Sequence, residues 1–166
     1  MADIYELVRS KKAVRDFAAR PIPDDIARRI LDAGRMSGSS KNTQPWHFVA
    51  VRDRDKLVAL SKTGDYAGHL AGAALGVFIV TDRPEGRGEY DFGRTSQNMM
   101  LVAHSYGIGS VVAAIYRPGD AAAILNVPEG YRVAWGISFG YPAEGFEPAR
   151  MGGRHSLDEI VHWDAW

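Results

Sequence analysis

Lys11, Lys12 and Arg15 crowd into one short polar stretch, and Arg154 stands just ahead of a second, helix-opening sequence near the far end of the chain. Cations gathered from two distant places suit a phosphate monoester, which carries close to two negative charges at neutral pH and is held best by charge-assisted hydrogen bonds. Taken alone, such clusters fit solvated surface charge equally well. Other chemistries find less support. The chain has no cysteine, which removes disulfides, thiolate metal sites and cysteine nucleophiles. His104, His155 and His162 share no metal-ligand spacing with a carboxylate, and His47 sits inside an apolar run that predicts a half-buried, hydrogen-bonded imidazole. His69 reads as a surface histidine. No Gly-x-Ser-x-Gly elbow is present to raise a nucleophilic serine, and no Gly-x-Gly-x-x-Gly opens a helix after a strand, so neither a hydrolase triad nor a Rossmann dinucleotide site is indicated. Twenty basic residues balance twenty acidic ones, which argues against a polyanion partner such as DNA.

The elements that would position these residues are legible from periodicity. Ile4, Leu7 and Val8 predict a short helix, and Asp24 to Gly34 a longer one capped by Asp24. Trp46 to Val51 predicts a buried strand, Asp53 to Lys62 a helix and Gly76 to Thr81 a strand rich in β-branched residues. The longest helix is expected from Tyr90 to Tyr106 with Gly107 as its stop, followed by a strand from Ser110 to Ile115. Pro118 opens a helix that ends near Asn126, Arg132 to Phe139 forms a last strand, and Ser156-Leu157-Asp158-Glu159 reads as a capping box for a final short helix. With 166 residues, 46% of them apolar, the chain can bury roughly two thirds of its unfolded surface as one α+β layered domain. Neither a basic, apolar leader nor a run of membrane-spanning length is seen, and a cytoplasmic setting is expected.

Order along the chain adds a resemblance. Lys11-Lys12-Ala13-Val14-Arg15-Asp16-Phe17, then Ser39-Ser40-Lys41-Asn42-Thr43-Gln44-Pro45-Trp46-His47-Phe48, resembles the paired N-terminal signature of the nitroreductase family. Gln97-Asn98-Met99-Met100, Tyr106-Gly107-Ile108-Gly109-Ser110, Gly140-Tyr141-Pro142 and Gly153-Arg154-His155-Ser156-Leu157-Asp158-Glu159 continue it in order. Each piece is weak alone; their succession is specific.

The resemblance implies a three-layer sandwich around a central, mainly antiparallel sheet, in an intertwined homodimer with FMN at the subunit interface and residues 1–166 as a single FMN-binding domain. It implies that Lys11, Lys12, the backbone at Ala13 and Arg154 hold the FMN phosphate and ribityl chain, and that Arg15 lies at the pyrimidine edge. Ser39, Ser40 and Asn42 would come from the partner subunit, and the backbone of Val112, Ala113 and Ala114 would run along the flavin. No catalytic side chain is implied: flavin N5 carries the hydride in a ping-pong exchange between NADH or NADPH and small acceptors such as nitroaromatics or quinones. A flavin-binding or storage protein without pyridine-nucleotide turnover is the other reading. Ala13 replaces the serine usual in the family, and Ala67-Gly68-His69-Leu70 stands where many members carry an Asn-x-x-Lys, so that His69 could partly replace that lysine although it reads more readily as a surface histidine.

Overall fold

The computed structural model describes residues 3–149 and 153–166. Asp3 accepts a hydrogen bond from the Tyr5 N–H (3.0 Å) and so caps α1, Ile4–Ser10. In α2, Asp24–Arg35, Pro23 occupies the cap position expected for Asp24. Asp24 lies one residue inside, where its charge meets the positive end of the helix and pairs with Arg52. The remaining elements follow in the predicted order: β1 His47–Val51, α3 Arg54–Leu60, β2 Leu75–Thr81, α4 Glu89–Ser105, β3 Gly109–Ala113, α5 Pro118–Leu125, β4 Arg132–Gly140 and α6 Leu157–Ile160.

The strands form one sheet in the order β1-β2-β4-β3, every pair antiparallel. β2 is central and buried along its whole length, so both of its faces must be covered. Val77 and Leu75 pack with Ile30, Met99 and Ala103 of α2 and α4 on one face. Phe78 and Val80 pack with Leu57, Leu60 and Ala121 of α3 and α5 on the other. The alternation of side chains along β2 thus creates two helical layers around one sheet.

Two strand expectations are corrected. β1 is an edge strand, paired only to β2, with His47 and Ala50 exposed and only Val51 fully buried. His47 is therefore not half-buried; its ring meets Tyr131 edge-on at 5.3 Å. β3 ends at Ala113 rather than Ile115, because the chain turns away to donate the Tyr116 and Arg117 N–H groups to Thr63 O (2.9 Å each).

Both ends of the chain leave apolar surface uncovered. Ile4, Tyr5 and Val8 on α1 are exposed, as are Leu157 and Ile160 on α6, while Trp163 is 84% exposed and Trp166 fully so.

Candidate functional site

The stretch Lys11 to Phe17 is irregular in sequence, yet it is fastened to the sheet. Ala13 bridges Ser110 in parallel, the Val14 N–H donates to Ser110 O (3.2 Å), and Phe17 bridges Pro142 just beyond β4. Val14 points inward at 5% exposure, so its neighbours Ala13 and Arg15 point outward by strand alternation. Two glycines make this contact possible. A Cβ on Gly109 would lie 2.5 Å from Val14, and one on Gly140 would lie 2.7 Å from the Phe17 ring.

On the same edge of the sheet Val112 and Ala114 are exposed and Ala113 is buried. Gly64 approaches the strand's end so closely that a Cβ there would stand 2.0 Å from Ala114 O. A cavity of about 360 Å³ opens beside the docked segment, lined by Ala13, Arg15, Asp16, Glu144, Phe146 and Glu147. The Ser110 hydroxyl, at the bridge to Ala13, is buried with no hydrogen-bond partner.

His69 belongs to this neighbourhood, contrary to its reading as a surface histidine. It sits in the 3₁₀ turn Gly68–Gly72, and its Nδ1 shares a 2.7 Å hydrogen bond with Ser138 Oγ of β4. Burial, aided by the positive field of Arg15, pushes its pKa down to about 4. The imidazole is therefore neutral at pH 7. Because the folded state holds a lower pKa than the unfolded state, the unfolded chain takes up a proton that the folded one refuses. Stability should accordingly fall as pH drops from about 6.5 toward about 4. His69→Gln should remove that component, seen as a smaller loss of urea midpoint across the interval than in wild type; an identical loss in both would contradict the assignment.

Lys11 is half-buried against α4, where its ammonium donates to Met100 Sδ (3.4 Å). Burial first, then Arg15, lowers its pKa. Lys12 is exposed. Lys11, Lys12, Ala13 and Arg15 thus share one segment docked at Ser110, on the strand that continues to Val112 and Ala113.

Ser39, Ser40 and Asn42 lie on a different support. The Ser40 N–H donates to Oδ2 of buried Asp91 on α4 (3.2 Å), and Ser39 Oγ accepts from the Gln44 N–H (2.8 Å). Lys41, Asn42 and Gln44 all have positive φ, at 51°, 55° and 47°. Left-handed backbone at non-glycine residues is costly and marks a loop whose shape is imposed by its surroundings. Arg154 is exposed just before α6, whose capping box forms as predicted, with the Ser156 N–H donating to Glu159 Oε2 (2.7 Å). Among the described residues, neither the Ser39–Asn42 loop nor Arg154 hydrogen-bonds to the Lys11–Arg15 segment.

Sequence reasoning missed Gly64 and Ser138. Gly64 follows an unremarkable Thr63, and Ser138 is one polar residue in an apolar strand, so neither carries a local signal. Among the described residues there is no grouping of side chains able to hold a metal ion and no helix long and apolar enough to cross a membrane.

The nitroreductase family model matches residues 8–85 and 61–141. The chain belongs to the nitroreductase family. This nitroreductase-family chain is 28% identical over its whole length to an Archaeoglobus fulgidus protein provisionally named an NADH dehydrogenase/NAD(P)H nitroreductase, which it also covers completely. It is 28% identical to the NADPH-flavin oxidoreductase of Vibrio harveyi, with 86% of this chain and 67% of that protein aligned. The structure of an FMN-dependent nitroreductase from Clostridium difficile superposes with a TM-score of 0.85 at 23% identity, over 98% of this chain and 99% of that one. The three-layer arrangement around an antiparallel sheet is therefore the family's fold.

Proposed function

We propose that this chain is an FMN-dependent oxidoreductase that draws reducing equivalents from NADH or NADPH and delivers them to small electron-poor acceptors such as nitroaromatics or quinones. The observation that carries the reading is the docking of Ala13 and Val14 at Ser110 of β3, which leaves Arg15 exposed at the sheet's edge in a nitroreductase-family chain. Three features near the docked segment support a flavin: the exposed cation of Arg15, the orphaned buried hydroxyl of Ser110 at the bridge to Ala13, and the neutral imidazole of His69 in the field of Arg15; the cleft itself also carries the carboxylates of Asp16, Glu144 and Glu147. Bound FMN would supply the hydride chemistry.

The chain's own residues bind and tune. Lys11, Lys12 and Arg154 hold the phosphate, and Ala13 offers its backbone N–H where a serine would add a hydroxyl. Lys11 leaves a thioether, a weak acceptor, to do so, which makes that exchange favourable. Val112, Ala113 and Ala114 form the wall along the flavin, and Arg15 stabilises the negative charge that gathers at the pyrimidine edge on reduction. Ser39, Ser40 and Asn42 serve the partner subunit's flavin. The uncovered apolar residues of α1, α6 and the Trp163–Trp166 tail provide the surface for a homodimer. Residues 1–166 act as one domain, in a cytoplasmic setting.

The phosphate assignment is tested by affinity. FMN should bind more tightly than riboflavin, and Arg154→Ala should weaken FMN by about 1.5–3 kcal/mol, less at high salt. Equal affinity for FMN and riboflavin would contradict it. Arg15→Ala should lower the midpoint potential of bound FMN by about 20–40 mV, the equivalent of roughly 1–2 kcal/mol of differential stabilisation in a two-electron couple. An unchanged potential in the flavin-saturated variant would place Arg15 elsewhere.

A further inference from the structure

Beyond the flavin cleft, a second cavity of about 410 Å³ lies between the Ser39–Asn42 loop and the loop that follows β2. Lys41, Arg83 and Arg87 line it with the hydroxyl residues Ser40 and Thr43; its one carboxylate, Asp91, is engaged by the Ser40 N–H. We infer that this cavity is a phosphate-monoester site that takes the adenosine 2′-phosphate of NADPH and thereby selects the donor.

The inference rests on the proposed oxidoreductase reading and deepens it. Three cations against one already bonded carboxylate leave a net positive recess. Among the described residues Lys41 and Arg87 form no ion pair, and Arg83 has only a 3.9 Å contact with its neighbour Asp82. A phosphate monoester near two negative charges matches that recess, whereas the 2′-hydroxyl of NADH would leave the like charges uncompensated.

The loop that presents the arginines is built rather than loose. Arg83 N–H donates to Thr81 Oγ1 (3.1 Å), Arg87 N–H to Pro84 O (3.1 Å) and Gly86 N–H to Glu89 Oε1 (3.1 Å). From β4, Arg132 grips the same loop by donating to Arg83 O (2.7 Å) and Pro84 O (3.2 Å), and it pairs with Glu89 (3.0 Å). The opposite wall is the strained turn bearing Lys41, tied down by Asp91. Both walls are thus fixed before any ligand arrives, which reduces the ordering cost of binding. The cavity adjoins the loop assigned to the partner's flavin, where a donor must lie, and it uses none of the residues assigned to the flavin phosphate.

NADP⁺ and NAD⁺, which differ only in the 2′-phosphate, titrated calorimetrically into the FMN-loaded protein, test the site without turnover. NADP⁺ should bind at least tenfold more tightly, Arg83→Gln and Arg87→Gln should each erase most of that margin, and Arg87→Lys should keep part of it. The ratio of kcat/KM for NADPH over NADH should fall by a similar factor in the Gln variants. Equal affinity for the two nucleotides, or equal losses for both in the Gln variants, would overturn the site. Release of bound FMN by NADP⁺ would overturn it too, since the nucleotide would then occupy the flavin's phosphate position. A protein that takes up no FMN yet prefers NADP⁺ over NAD⁺ would contradict the flavin reading and leave this site standing.

Discussion

Gly109→Ala should cost about 1–3 kcal/mol of stability, the range for overpacking a filled site, and should strip FMN from the folded protein as well. The added methyl would meet Val14 at 2.5 Å, and the nearest atom is the Val14 Cβ itself, so no rotamer change relieves the contact. The backbone must move apart instead, loosening the Val14 N–H to Ser110 O bond that seats Ala13 and Val14 on β3 and holds Arg15 next to them. Val14→Ala should therefore fail to rescue the variant, whereas Val14→Gly should recover part of the loss. A drop of about 2–4 °C in Tm per kcal/mol is the thermal counterpart for a domain of this size. A Gly109→Ala protein with wild-type Tm and full flavin content would show that the segment is not held where the structure places it.

Replacing Trp163 and Ile160 by Ala should raise the dimer dissociation constant by thirtyfold or more, equivalent to about 2 kcal/mol for loss of an aromatic anchor at an interface. In one isolated chain these side chains face water, Trp163 at 84% exposure and Ile160 at 60%, so truncating them would change stability little. In a dimer they would be covered, and wild-type Tm should rise with protein concentration while that of the double variant does so less. Sedimentation at low micromolar concentration distinguishes the cases. A wild-type protein that stays monomeric with full flavin occupancy would remove the dimer, and with it the assignment of Ser39, Ser40 and Asn42 to a partner's flavin.

Much of the fold was legible because hydrophobic periodicity and end signals agree. Gly107, with φ of 71°, stops α4 as predicted, and Asn126, with φ of 53°, closes α5 after Pro118 opens it. The misjudged features depend on tertiary surroundings. The apolar run at β1 looks like a buried strand, but its place at the sheet edge leaves His47 in water. His69 looks like a surface residue because its partner, Ser138, lies 69 positions away. Likewise Asp91 is one acidic residue in the first turn of a helix, and only the folded chain brings it under Ser40. Within the candidate site, motif order proposed the Lys11–Arg15 segment and Val112 to Ala114, and the structure docks the first on the strand that carries Val112 and Ala113. What no local pattern could reveal is the glycine-enabled contact of Val14 with Gly109 and of Phe17 with Gly140 that fastens the segment there.

The central claim is a flavin that pyridine nucleotide reduces, and an anaerobic absorbance titration tests it most directly. The purified protein, loaded with FMN and kept free of oxygen, should show a flavin band that bleaches on addition of NADPH or NADH. The band should return when a quinone or nitroaromatic is admitted. A protein that takes up no FMN, or a bound flavin whose band neither nucleotide bleaches, would contradict the account.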